Sequence, residues 1–404
     1  MHAAAKAPAA LQRRLDYAGP ALFSYGFRPF FLGAAAWAAL AMVLWLPQYF
    51  GYLALPTAFA PLDWHIHEMI YGYVAAAVAG FMLTAIPNWT GRLPVNGYPL
   101  AALFGLWLLG RIAIAGSAIC GALPAAMVDV AFLLVFAGIA CGEIVAGRNW
   151  RNLRVLVVLG VLILGNIVFH AEVLRSGSAD YGIRIGIAAL IGLIMLVGGR
   201  IVPSFTRNWL VRNNPGRLPQ PFSRFDAGSI GGGALALICW IALPQFLVSG
   251  ILLIAAGLLQ TARYLRWAGD RTLADRLVLV LHVAYAFVPL GFVLVGAAII
   301  WPAIVPASAG IHAWMAGAAG LMTLAVMTRA SLGHTGQDLV ASLPTQLIYL
   351  CAFIAALSRV VAAFEPSRAL LDIAAASWIL AFGGFTVFFG RLLIGRPPIW
   401  NARA

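Results

Sequence analysis

Charge is what this chain has least of. Only 10% of its 404 residues are Asp, Glu, Lys or Arg, whereas 63% are hydrophobic and the mean hydropathy is +0.93. A water-soluble domain of this length needs far more polar surface, so the composition excludes one and indicates a polytopic membrane protein. Acidic residues are the scarcer sign, 13 against 26 Lys and Arg, for a net charge of +13. The basic residues are almost all Arg and lie between apolar stretches, with no basic run and no interleaved aromatic platform, which argues against nucleic acid as a partner. The bilayer is the partner the composition calls for. The four cysteines, Cys120, Cys141, Cys239 and Cys351, are scattered and form no C-x-x-C or C-x-x-C-H pattern. That excludes a disulfide framework and covalently attached c-type haem. No small-residue cleavage site follows Lys6, Arg13 and Arg14, so the first apolar run reads as a retained span rather than a signal peptide.

What is present in abundance is apolar sequence in blocks of membrane-spanning length, about 20 residues each. The blocks run roughly 29–47, 64–86, 98–118, 121–146, 155–174, 182–201, 227–244, 246–263, 276–299, 309–328, 341–361 and 370–392. The expected fold class is therefore all-α, a polytopic bundle of about 12 transmembrane helices. Residues 1–28 read as a cytoplasmic N-terminal segment, 29–393 as the membrane domain and 394–404 as a cytoplasmic tail. Orientation follows from the loops: 21 of the 26 basic residues fall on one side, including Arg148, Arg151 and Arg154 in one loop and five residues from Arg200 to Arg224 in another. The positive-inside rule makes that side, with both termini, cytoplasmic.

With orientation assigned, depth sorts the rare polar groups. His65 and His67 open the second span at its outer end, His312 opens the tenth there, and His170 lies a few residues below the outer end of the fifth. Ionisable groups at such depth are costly to place and mark function. Imidazoles from separate helices make metal sites in bundle cores, which predicts an outer metal layer of His65, His67, His170 and His312. At 100° per residue, His65 and His67 point about 200° apart on one helix, so they cannot serve one ion together unless the helix starts between them. His65 shares a face with Met69, and His170 with Asn166. Glu68 and Glu172, each close to a histidine in sequence, are candidate acceptors behind the ligands. Met69, Met82 and Met327 read as packing residues.

His282 and His334 form a separate inner set near the cytoplasmic edge. Arg28, Arg92, Arg200 and Arg329 share that edge, where guanidinium forks match the paired oxygens of haem propionates or lipid phosphates; positive-inside anchoring explains the same four residues. Arg111 and Asp129 fall at similar depth on consecutive antiparallel spans and are expected to pair, as a structural ion pair or as part of a proton relay. Finally, Ile66-His67, Gly72, Met82 and Thr90-Gly91 recur with identical spacing as Ile311-His312, Gly317, Met327 and Thr335-Gly336. This predicts an internal repeat in which His67 and His312 are equivalent and face one another across an axis.

The blocks FSYGFRPFF, WHIHEM, PNWTGR, RIVPSFT and MTRASLGHTG resemble the NnrS family of bacterial inner-membrane proteins, over nearly the whole chain from Leu22 to Arg396. The resemblance implies a twelve-span protein containing haem b and copper, acting in nitric oxide metabolism, denitrification and resistance to nitrosative stress. It implies binding or redox conversion of nitric oxide or a nitrosyl species, with an electron donor that the sequence does not name. Gln337 stands where an Arg is common in the family, which puts a basic role at that position in doubt. His65, His67, His170 and His312 are the candidates for copper and for one axial haem position, followed by His282 and then His334. Two other readings compete: a transporter of a metal, haem or nitrosyl species in which Arg111 and Asp129 move charge, and a structural subunit without metal.

Overall fold

In hydrocarbon every backbone N–H and C=O must be satisfied within its own segment, which leaves helices as the economical solution for these apolar blocks. The computed structural model describes Tyr17 and residues 19–396, and among them 12 helices are long and apolar enough to span a bilayer. They are α1 (Phe27–Tyr49), α2 (Pro61–Thr90), α3 (Gly97–Ala115), α4 (Ala122–Ala146), α5 (Trp150–Ser176) and α6 (Tyr181–Asn213). The second half holds α7 (Arg224–Ala242), α8 (Leu247–Leu265), α9 (Arg276–Ile300), α10 (Ala307–His334), α11 (Leu343–Phe364) and α12 (Arg368–Ile394). No strand occurs among the described residues. The Pro244-Gln245 break does separate α7 from α8. Most of residues 1–28, with Lys6, Arg13 and Arg14, and the tail from 397 lie outside the described residues.

Three helices overrun their predicted ends, and each has a reason. Proline is suited to the first helical turn because its missing N–H has no partner there, so α2 starts at Pro61, ahead of both histidines. α6 continues to Asn213 through Arg207, Trp209 and Arg212, residues that favour helix but not hydrocarbon, so hydropathy missed them. α10 runs past its apolar part to His334 for the same reason.

Burial sorts the helices into two shells. In α2, 89% of the apolar window is buried, against 33% in α3, α4 and α7, which keep one face for lipid. α2, α6 and α10 touch one another at the centre, while α1, α4, α5, α9, α11 and α12 pack around them. α12 also packs along α1, joining the two ends of the chain. Arg28 ties that seam: its Nη1 donates to the carbonyls of Leu393 and Gly395, each at 2.8 Å.

All three central helices contain π-helical turns, at Glu68–Val74 in α2, Ile194–Gly198 in α6 and Ala313–Gly320 in α10. A π turn widens the helix, rotates the following side chains and often marks a functional position. In α2 the turn begins directly after His67 and carries Glu68 at its first position.

Candidate metal centre

Six buried polar side chains from four helices meet beside that π turn. His67 and Glu68 come from α2, Arg111 from α3, Asp129 from α4, and Asn166 and His170 from α5; all are at most 4% exposed. Glu68 is the hub of one half. Its Oε1 accepts from His67 Nδ1 at 3.0 Å, its Oε2 accepts from Trp37 Nε1 at 2.6 Å, and both oxygens accept from Arg111 Nη1 at 2.6 Å. Asp129 is the hub of the other. Its Oδ1 accepts from Arg111 Nη2, and its Oδ2 accepts from Asn166 Nδ2 at 2.8 Å. His170 Nε2 lies 3.0 Å from the same Oδ2, and His67 Nε2 lies 3.2 Å from it.

Proton accounting shows what this arrangement requires. Glu68 can only accept when ionised, so the hydrogen on neutral His67 sits at Nδ1 and Nε2 carries a lone pair. That lone pair faces two acceptors, Asp129 Oδ2 and, at 3.2 Å, Asn166 Oδ1, whose amide has its N–H turned to Asp129. Three electron-rich atoms without a hydrogen between them repel. Charge gives the same answer: two carboxylates against one guanidinium leave a net negative charge in a site shielded from water. Either a proton on His67 or a metal cation completes the balance, and buried unpaired charge is otherwise expensive.

His67 Nε2, Asp129 Oδ2 and His170 Nε2 are the ligating atoms on offer, and one atom from each residue lies within 4.8 Å of the others. Among the described residues this is the one His/Cys/Asp/Glu group so placed. The bond from His67 Nδ1 to Glu68 is the support that fixes a ligating imidazole's tautomer and ring plane. An aromatic wall keeps the rings in place: Phe169 and Phe59 stand 5.1 and 5.3 Å from the His67 ring, and Phe59 comes from the loop before α2. Gly72 lets the cluster close, since a Cβ there would meet Arg111 Nη1 and Glu68 Oε2, each at 2.7 Å.

The four outer histidines therefore do not form one centre. His65, two residues before His67 and pointing away from it, stacks on Trp45 with ring centroids 4.0 Å apart. It lies within electrostatic reach of His312 and Arg359, and its buried Nδ1 has no hydrogen-bond partner. His312 gives its Nδ1 to the Ser308 carbonyl at 2.7 Å. His312 thus neighbours His65, not His67 as the matched sequence segments suggested.

Several other expectations need correction. Glu172 does not support His170; its carboxylate accepts the backbone N–H groups of Asp180, Tyr181 and Gly182 and so caps the start of α6. The four cytoplasmic-edge arginines make separate contacts in this structure. Arg28 is spent on the α12 terminus, Arg92 pairs with Glu143 at 2.7 Å, Arg200 donates to Asn152 at 3.3 Å, and Arg329 lies over the Phe205 ring at 4.3 Å. His282 bonds Thr206 Oγ1 at 2.7 Å, and the His334 ring packs beside Tyr25 and Phe27.

A second buried polar group escaped sequence reasoning. Arg263, at the end of the eighth apolar block, is 1% exposed and reaches Asp226 at 3.4 Å, Tyr285 Oη at 3.0 Å and the Met195 carbonyl at 3.1 Å. The signal was there in Ser223-x-x-Asp226, a capping box that places the carboxylate inside the first turn of α7.

A family model described as NnrS protein matches residues 21–396. The chain belongs to the NnrS family. Membership links it to nitric oxide and to metal, and the multi-pass helical architecture agrees with that of a membrane protein. No curated protein and no solved structure matches the chain. Within this NnrS protein the His67, Asp129 and His170 cluster is where the family's association with metal meets a donor set.

Proposed function

We propose that this NnrS protein is a metalloprotein of the bacterial inner membrane that binds nitric oxide, or a nitrosyl species, at a copper ion held by His67, Asp129 and His170. The observation that carries the reading is the closeness of His67 Nε2 and His170 Nε2 to Asp129 Oδ2, at 3.2 and 3.0 Å, in a buried site where two carboxylates face one guanidinium and a further positive charge is called for. Two imidazoles and one carboxylate form a nitrogen and oxygen set that non-haem iron also uses, and copper(II) binds such a set most tightly among the divalent first-row metals. Copper in such a site supplies one-electron chemistry and open positions for a small ligand. The protein's own contribution is orientation and exclusion of water: Glu68 sets the His67 tautomer, Arg111 locks both carboxylates, and the aromatic wall keeps the surroundings dry.

Haem b finds no equivalent cradle. Neither of the two cavities described between the helices touches a histidine, and of the arginines expected to hold propionates Arg28 reaches the α12 terminus and Arg92 pairs with Glu143. The neighbouring His65 and His312 are candidates for a second metal, with the unpartnered Nδ1 of His65 on offer, and so is His282, whose buried Nδ1 likewise has no hydrogen-bond partner. We read α2 and α10 as copies of one repeat, because a π turn starts directly after His67 and directly after His312. The positive-inside count places both termini in the cytoplasm and the metal centre toward the periplasm.

The test is metal analysis and electron paramagnetic resonance of the purified protein, with nitric oxide added. Stoichiometric copper whose spectrum changes with nitric oxide, and which is lost in His170→Ala, supports the reading; a protein without stoichiometric metal would falsify it. In the transporter alternative, proteoliposomes move the metal or nitrosyl species. Because Arg111 bonds the candidate ligand Asp129, Arg111→Ala cannot separate the two readings, and flux must be measured on the unaltered chain.

A further inference from the structure

The central helices frame a partly open cavity of about 80 Å³ where α2, α6 and α10 meet, with Phe31 of α1 on one side. Val74, Ala77, Leu193, Val197, Ala319 and Met322 are among its walls. All three π turns contribute to the lining: Val74 ends the one in α2, Val197 lies in that of α6 and Ala319 in that of α10. The cavity is thus a product of the widened helices, which cannot close on one another as regular helices would.

Its chemistry is one-sided. Thr323 is the one polar side chain in the lining, and its hydroxyl is already engaged with Tyr73 Oη and the Gly320 carbonyl. A buried water needs two to four polar partners, so this space favours an apolar guest over water. A second cavity of about 10 Å³ shares Val78, Leu190 and Leu193 with the first and extends to Val155 and Val158 of α5. Along α2, Val74 lies seven residues from His67, about 10 Å at the usual helical rise.

We propose that the central cavity is a docking pocket for a small neutral diatomic gas. The volume admits a diatomic molecule, and the lining offers nothing to an ion or a hydrogen-bonding metabolite. This rests on the preceding reading where it names the gas as nitric oxide and the destination as the histidine centre; the pocket itself does not depend on that reading.

Xenon binding and nitric oxide kinetics on the purified full-length protein test the two parts. Xenon nuclear magnetic resonance should show one saturable site, lost in Ala319→Leu and in Ala77→Leu. Both variants should keep the metal content and melting temperature of the parent. Association of nitric oxide with the metal should slow about tenfold in these variants, within the range that on-rates vary among related proteins. Xenon under pressure should slow the parent but not the filled variants. Absence of a saturable xenon site overturns the proposal, and so does a pocket already occupied by a lipid acyl chain. Xenon binding that is insensitive to both substitutions overturns it too. A parent protein that binds xenon at this site but no nitric oxide at its metal supports the pocket and removes the function proposed above.

Discussion

His67 and Asp129 stand with Nε2 and Oδ2 3.2 Å apart, on two different helices, so that a proton or a cation must lie between them. Glu68 holds the other ring nitrogen of His67, and the amide of Asn166 donates to the same Asp129 oxygen. Substituting either member should therefore abolish metal retention without unfolding the bundle. We expect His67→Ala and Asp129→Asn to purify with copper reduced to background, as read by elemental analysis. Met69→Leu, a packing change outside the ligand set, should retain it.

Metal retention should fall on acidification. Imidazole ligates only without its second proton, so protons compete with the ion for both histidines, and bound copper should be released as pH falls. Equilibrium dialysis across a pH series reads this directly. Glu68→Gln should shift the release curve toward higher pH, because His67 loses the carboxylate that orients it. An unchanged curve would remove Glu68 from that role.

Arg111 balances two carboxylates at once. Replacing it with Met leaves both without their guanidinium, and breaking a buried pair in this way costs about 3–5 kcal/mol. The thermal melt in detergent should drop accordingly. Adding Glu68→Gln to Arg111→Met removes one of the orphaned charges and should recover part of the loss, an outcome that no independent pair of effects would give.

Much of this was legible in the sequence, and the division is physical. The crossings could be read because transfer of each segment into hydrocarbon is a local property of its composition. The separation of His65 from His67 could also be read, since helix phase over two residues is fixed. The convergence of His67, Asp129 and His170 could not, because it depends on how three helices are rotated against one another. Glu172 misled for a related reason: two residues along a helix point to different sides, so adjacency to His170 in sequence is separation in space. Arg263 misled because depth was judged from the end of an apolar run, whereas its side chain folds back along α8 into the protein.

Glycine spacing offers a paired test. Gly72→Ala places a methyl group against Arg111 and Glu68 and should cost about 1–3 kcal/mol, with loss of copper. Gly138→Ala on the exposed side of α4 meets nothing within 4 Å and should stabilise by about 0.5–1 kcal/mol through helix propensity. Melting temperatures of the two variants, measured side by side, check both signs.

Orientation can be checked independently of chemistry. Green fluorescent protein fused after the last residue should fluoresce in a bacterial host, since it matures in the cytoplasm but not when exported unfolded. A dark but membrane-inserted fusion would reverse the assignment of sides.

The clasp between Arg28 and the carbonyls of Leu393 and Gly395 bears on biogenesis. The first helix to leave the ribosome has its longest-range partner in the last, so it must wait in the membrane through the synthesis of all that lies between. Ribosome-bound chains short of α12 should accordingly be prone to capture by insertases or proteases at α1, and completion of the final helix is the event that seals the barrel of helices shut.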